Sequence, residues 1–137
     1  MNKMKRNIKN ILFVFFAGFS LLVVGCSLGN GFIPDLFVET SAKLEYSETD
    51  NYYILTLAAG EVYEINANLG DYDGDAYYID YVFEEEKQFA TIENNKISIS
   101  EDAINGDQVV LFVQMKNSDG KVCDKEKIII NISNQEV

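Results

Sequence analysis

The sequence has 137 residues with 11 basic and 22 acidic side chains, no histidine and no tryptophan, and a formal net charge of −11. A chain this acidic repels phosphate backbones, which argues against nucleic-acid binding. Without histidine, metal-hydrolase and Ser-His-Asp arrangements have no base to use, so we expect a non-catalytic protein.

The first 25 residues have the layout of an export signal. A basic head with four lysine or arginine residues precedes the uncharged stretch 11–24. These 14 residues are short for a membrane span, which needs about 20. A helix buried in a protein core is the second alternative to a signal peptide. A helix at the protein surface does not fit, because apolar side chains would surround it and leave no polar face. We predict a signal peptide over residues 1–25.

The end of this stretch, Val23-Val24-Gly25-Cys26, resembles a bacterial lipobox. The resemblance implies that Cys26 takes a lipid and becomes the first residue of a lipoprotein anchored in the cell membrane or the outer membrane. Two acyl chains give stable anchoring, whereas one holds a protein only marginally. Removing residues 1–25 leaves seven basic and 22 acidic residues, a net charge of −15. We therefore expect the domain to stand off anionic lipid and to rely on its anchor.

Residues 26–43 are predicted to form the lipidated N-terminus and a flexible tether, because they hold Gly29, Gly31 and the only proline, Pro34. Residues 44–137 are predicted to form one small domain. With Cys26 assigned to lipid, Cys123 has no cysteine partner left within the chain. It could pair with another chain, but we favour a small, half-buried residue on a strand.

From residue 52 onward the pattern is typical of short strands and tight turns, because apolar residues alternate and Gly, Asn and Asp separate the runs. One helical turn is predicted at 100–103, capped by Ser100. Strand spacing of this kind predicts an all-β sandwich of about seven strands. The predicted strands are 52–57, 61–67, 77–83, 90–92, 96–100, 108–116 and 125–133, with weaker candidates at 36–38 and 44–46.

The stretch 89–99, followed by Ala103, Gly106 and the apolar run 109–113, resembles the second half of bacterial Ig-like domains of the Big type. The resemblance covers about residues 52–133 and implies a single Ig-like β-sandwich. It departs from the family in the third strand, where members often have a tryptophan and this chain has none. Members are mostly surface spacers, adhesion modules or glycan-associated domains, so the resemblance implies binding or display and no catalysis.

The loop at 70–75 is a candidate calcium site. Asp71, Asp73 and Asp75 alternate around Gly74, and calcium prefers several oxygens from a flexible loop. The spacing is not that of an EF-hand, because the glycine is fourth and the twelfth position is Val82. A solvated turn uses the same residue types, and we favour that interpretation.

Tyrosines crowd the same region. Tyr72 and Tyr78 are candidate ligand contacts, since a tyrosine ring supplies contact area and its hydroxyl a hydrogen bond. Tyrosine is also a good strand former, which is the plainer explanation. The acidic run 84–86 could suggest paired glycosidase carboxylates, but adjacent like charges are usually a solvated turn.

The sequence therefore predicts a membrane-anchored cell-envelope lipoprotein that displays an Ig-like binding, adhesion or spacer module for a protein or glycan ligand. One alternative is a small accessory or inhibitor lipoprotein whose acidic loops bind a basic envelope protein. Another is a calcium-dependent glycan-binding module that uses Asp71, Asp73, Asp75 and Tyr72. No cofactor is predicted, and calcium is the one candidate considered.

Overall fold

A computed structural model of the chain describes residues 33–134. The predicted signal peptide and the predicted lipidation site at Cys26 lie outside these residues. The described residues form ten strands: β1 Phe37–Val38, β2 Leu44–Ser47, β3 Tyr52–Leu57, β4 Val62–Glu64, β5 Ala67–Asn68, β6 Tyr77–Phe83, β7 Ala90–Glu93, β8 Lys96–Ile99, β9 Gln108–Asn117 and β10 Val122–Ile132.

The strands are arranged in a five-stranded sheet of order β2-β3-β10-β9-β6, a three-stranded sheet of order β4-β8-β7 and the pair β1-β5. Neighbouring strands are antiparallel, except that β10 runs parallel to β3. The prediction of an all-β sandwich is confirmed. The described residues hold ten strands where about seven were predicted, because the chain also forms short pairings such as the two-residue β1 and β5.

The core lies against one side of the five-stranded sheet, and strand alternation selects its members. On β10, for example, Ile128, Ile130 and Ile132 are buried, whereas the intervening Ile129 and Asn131 are only half-buried. The other strands of both sheets contribute apolar residues to the same cluster. Its buried members are Leu36, Val38, Leu44, Leu55, Leu57, Ile65, Ala90, Ile97, Ile99, Ala103, Val109, Leu111, Val113, Met115, Ile128, Ile130 and Ile132.

The strand predicted at 61–67 is divided in the structure into β4 and β5. Between them Ile65 bonds to the β7–β8 hairpin: its N–H donates to the Asn95 carbonyl at 2.8 Å, and the Asn95 side-chain amide donates to the Ile65 carbonyl at 2.8 Å. Asn94 supplies the left-handed turn residue with φ 56°, a conformation that asparagine tolerates. These two long-range hydrogen bonds therefore interrupt residues 61–67, whose alternation of apolar and polar side chains is that of a single strand.

Part of the predicted tether belongs to the core. Pro34 is fully buried, Leu36 and Val38 are 3% and 8% exposed, and β1 pairs with β5. The packed part of the chain thus includes residues before position 44.

The helical turn predicted near 100–103 is a hydrogen-bonded turn, in which the Ser100 carbonyl accepts the Ala103 N–H at 3.1 Å. Within residues 33–134 no helix is long and apolar enough to cross a membrane.

Asn134 connects the end of β10 to two loops. Its side-chain oxygen accepts the Ala59 N–H at 2.7 Å, and its side-chain amide donates to the Ala103 carbonyl at 3.3 Å. Its own N–H donates to the Asn105 side-chain oxygen at 3.0 Å. A single asparagine supplies both donors and acceptors here, so it holds one end of the sandwich closed.

Glu61 forms an ion pair beside the β3–β4 turn. Lys43 Nζ lies 2.6 Å from Glu61 Oε2, and the Ala58 N–H donates to Glu61 Oε1 at 2.9 Å. Burial alone would raise the pKa of Glu61, but the hydrogen bonds from Lys43 and Ala58 and the lysine charge lower it below its ordinary value of 4.5. The folded state therefore favours the carboxylate form.

This ion pair predicts a pH dependence of stability. A carboxylate whose pKa is lowered by folding stabilises the fold above its ordinary pKa, and that contribution is lost as the pH falls through the lowered pKa. We expect Glu61→Gln to cost about 1 kcal/mol at pH 7 and to flatten the acid limb of the stability curve below about pH 5. Urea unfolding across pH measures this, with the exposed Glu86→Gln as control. Equal acid limbs for Glu61→Gln and the unmutated protein would contradict it.

Candidate functional site

The loop that precedes β6 folds around the side chain of Tyr72, one of its own residues. The Ala76 N–H donates to the Tyr72 hydroxyl at 2.7 Å, and the ring of Tyr72 meets that of Tyr77 edge-on with centroids 5.6 Å apart. A side-chain carbon at Gly74 would lie 2.6 Å from the Tyr72 hydroxyl oxygen, so only glycine fits beneath the ring. The structure places Tyr72 as a half-buried support of this loop.

The predicted calcium ligands Asp71, Asp73 and Asp75 are all exposed on the same loop. Among residues 33–134, no three Asp, Glu, His or Cys side chains lie close enough together to hold a metal ion. The structure therefore does not bring the three carboxylates together. Calcium binding at this loop stays the less favoured alternative, beside the solvated turn that the sequence favours.

The side of the five-stranded sheet that faces away from the core is a second candidate surface, which we call the outer face. None of its side chains is buried. The alternation of the strands and their register place on it Glu45, Ser47, Tyr52, Ile54, Thr56, Tyr78, Asp80, Val82, Gln108, Val110, Phe112, Gln114, Lys116, Lys125, Lys127, Ile129 and Asn131.

Two cross-strand rows give the outer face its apolar character. In the first, Ile54 pairs with Ile129, which pairs with Val110. In the second, Phe112 pairs with Lys127 on one side and with Val82 on the other. Tyr52 adjoins Lys127 and extends this second row to β3. An aliphatic row thus lies beside a row that contains two aromatic rings.

Two lysines lie over these rings. Lys125 Nζ is 4.5 Å from the centroid of Phe112, and Lys127 Nζ is 5.5 Å from that of Tyr52. Ammonium groups are attracted to the negative face of an aromatic ring, and the lysine stems cover apolar surface. The rings remain only half-buried, so the lysines screen them without enclosing them.

The third lysine of the outer face is paired with an acid. Lys116 Nζ lies 2.7 Å from Asp80 Oδ2. This hydrogen bond raises the pKa of Lys116; burial opposes the shift, and the charge of Asp80 reinforces it. Beside this pair lies the predicted contact residue Tyr78, which is 47% exposed. The outer face therefore includes one of the two predicted tyrosines, while the other supports the loop at 70–76.

Charge separates the outer face from the rest of the protein. The face has three lysines and two acids, whereas the remaining described residues have four lysines and nineteen acids. The acidic run 84–86 follows β6 in an exposed connection, and the Glu84 N–H donates to the carbonyl of Val110 at the edge of this face at 2.9 Å. Sequence reasoning missed Tyr52, Phe112 and Ile129 as surface residues. The signal for them was the consecutive isoleucines of β10, since unbroken apolar runs place apolar residues on both faces of a strand.

Cys123 lies half-buried on β10 and is disulfide-bonded. The expected half-buried strand position is therefore present, but the expectation that Cys123 lacks a cysteine partner is not met. The sequence contains one other cysteine, Cys26, which lies outside the described residues.

No known family and no curated protein matches the sequence. Among solved structures, the chain is similar to a protein of Bacteroides ovatus, the mixed-linkage glucan utilization locus (MLGUL) SGBP-B in complex with a mixed-linkage heptasaccharide. The TM-score is 0.42 with 10% sequence identity, and the match covers 74% of this chain and 25% of that one. This chain thus corresponds to about a quarter of that protein. A likeness this low supports no functional argument.

The loop contacts predict a structural effect of Tyr72. We expect Tyr72→Phe to remove the acceptor of the Ala76 N–H and to speed hydrogen exchange of that amide roughly two- to tenfold, since one such hydrogen bond contributes about 0.5–1.5 kcal/mol. Amide exchange followed by NMR measures this. Tyr78→Phe, which removes a hydroxyl from the exposed outer face, is the matched control. Unchanged exchange at Ala76 in Tyr72→Phe would show that the hydroxyl does not hold the loop.

Proposed function

We propose that the protein is a lipid-anchored, non-catalytic binding module of the bacterial cell envelope. Its anchor is the lipid on Cys26, and its β-sandwich presents the outer face to a ligand. The outer face is the observation that carries the binding role. It combines half-buried rings, an aliphatic row and lysine stems on one side of the sheet, where acidic side chains are fewer than on the other surfaces.

The composition of the outer face suits binding. Recognition surfaces are enriched in aromatic residues and depleted of acids at their centre, while polar side chains surround them. On the outer face Phe112 and Ile129 are central, and Glu45 and Asp80 lie on strands β2 and β6 at the two edges of the sheet. These positions match that division between an apolar centre and a polar rim.

The anchor rests on the lipobox at 23–26 and on the apolar stretch before it. One sulfur atom cannot carry both a thioether-linked lipid and a disulfide. Because Cys26 is the only other cysteine in the sequence, lipidation of Cys26 and a disulfide between Cys26 and Cys123 exclude each other within one chain. The anchored form in our proposal is the one in which the lipid holds this sulfur.

Metabolic labelling with a fatty acid tests the anchor. We expect the full-length chain to take the label when it is expressed in a bacterium, and Cys26→Ser to reduce the label to background. Cys123→Ser is the matched control, because it removes the other cysteine of the sequence and leaves the lipobox intact. We expect this variant to take at least as much label as the unmutated chain.

Two outcomes would contradict the anchor. Labelling of Cys26→Ser at the level of the unmutated chain would place the lipid on another residue. An unmutated chain that takes no label, together with a Cys123→Ser chain that takes none either, would show that Cys26 is not a lipidation site at all.

A further inference from the structure

We infer that the outer face binds an uncharged, extended polysaccharide that lies across the strands over Tyr52 and Phe112. The inference rests on the proposed binding role and names its ligand class and its site. It differs from the calcium-dependent glycan site considered for the loop at 70–75, because no metal ligand takes part and no residue of that loop belongs to the site.

The charge of the outer face favours an uncharged ligand. Lys116 and Asp80 neutralise each other at 2.7 Å, and Lys125, Lys127 and Glu45 leave the face close to neutral. A polyanion would be repelled by the nineteen acids on the remaining described residues. A basic protein would be drawn to those acids and away from this face. A neutral polysaccharide is neither repelled by these acids nor drawn away from the outer face.

The two rings are spaced for an extended sugar chain. Tyr52 lies on β3 and Phe112 on β9, with β10 between them, so the backbones that carry the two rings are about 10 Å apart at the usual strand separation. This is about the length of two pyranose rings in an extended chain. The C–H faces of alternate sugars would stack on the two aromatic rings, because both surfaces are apolar and flat.

The polar side chains beside the rings supply hydrogen bonds for sugar hydroxyl groups. Lys125 and Lys127 carry donors at the two rings, and cation–π contacts at exposed sites are weak enough for their flexible stems to move aside. Gln114 offers both a donor and an acceptor in the adjacent row. Hydroxyl groups at either edge of a sugar ring therefore meet side chains able to bond to them.

Affinity electrophoresis tests the inference with the full-length chain in a polyoxyethylene detergent, which contains no sugar. The gels contain a mixed-linkage β-glucan, a xyloglucan, a galactomannan or an arabinoxylan as uncharged probes, and polygalacturonate as the charged one. We expect retardation by at least one uncharged probe, little change between low and high salt, and no retardation by polygalacturonate.

Variants locate the site. We expect Tyr52→Ala and Phe112→Ala each to weaken binding to the retarding probe at least fivefold, while Phe37→Ala, which removes a ring 49% exposed elsewhere on the surface, changes it less than twofold. Tyr52→Leu and Phe112→Leu repeat the test with apolar bulk kept in the strands, and thermal unfolding confirms that each variant is folded.

Three outcomes would overturn the inference: no retardation by any uncharged probe, retardation by polygalacturonate alone, or binding that the folded ring variants leave unchanged. Each is independent of the anchor. If the chain is labelled at Cys26 and binds no polysaccharide, the proposed ligand class is wrong and the lipid anchor stands. If it binds polysaccharide and takes no label, the lipid anchor is wrong and the ligand class stands.

Discussion

The position of β10 is the constraint on which the rest of the structure depends. This strand of eleven residues lies in the middle of the five-stranded sheet, parallel to β3 and antiparallel to β9. Its inward side chains Ile128, Ile130 and Ile132 are each at most 2% exposed. Without β10, β2 and β3 would have no link to β9 and β6, so the larger sheet and the core behind it would both be lost.

The same strand also separates the core from the outer face. Successive side chains of a strand point to opposite sides of its sheet, so Ile128 and Ile130 enter the core while Lys127 and Ile129 lie on the outer face. The register then aligns Lys127 with Phe112 and Ile129 with Val110. The proposed binding surface is thus produced by the strand pairing that forms the core.

Charge follows the same division. The net charge of −15 after residue 25 is unevenly distributed, because three of the seven lysines lie together on the outer face. The acids lie mostly on the other surfaces and in the loops. The net charge therefore describes solubility and long-range repulsion, whereas the aromatic and aliphatic rows determine what the outer face is able to contact.

Much of this fold is predictable from local pattern. Alternation located β3 and β6, and Asn94 and Asn95 located the turn between β7 and β8. The pairing order, the parallel contact between β3 and β10 and the interruption at Ile65 were not predictable, because each depends on residues far apart in the sequence. The burial of Leu36 and Val38 was missed for the same reason: β5, which pairs with β1, is about thirty residues away along the chain.

The candidate site was less predictable than the fold. Tyr72 was proposed as a ligand contact because it is a tyrosine beside carboxylates, and only the contacts to Ala76 and Gly74 show that it supports its own loop. The outer face was not predictable, because its residues come from five strands. Which of them are neighbours across the strands follows only from the register. The consecutive isoleucines at 128–130 indicated a two-sided apolar strand, but not which side faces solvent.

The central claim is that the two sides of β10 have different roles, and the adjacent isoleucines of one strand test it most directly. We expect Ile130→Ala to lower the free energy of unfolding by about 2–5 kcal/mol, because it leaves a cavity in the core. Ile129→Ala removes the same atoms from the half-buried outer face and should cost no more than about 1.5 kcal/mol. Urea unfolding of the two variants measures both values under identical conditions. A clear difference in this direction supports the account, and equal losses would contradict it by showing that the outer face is part of a core.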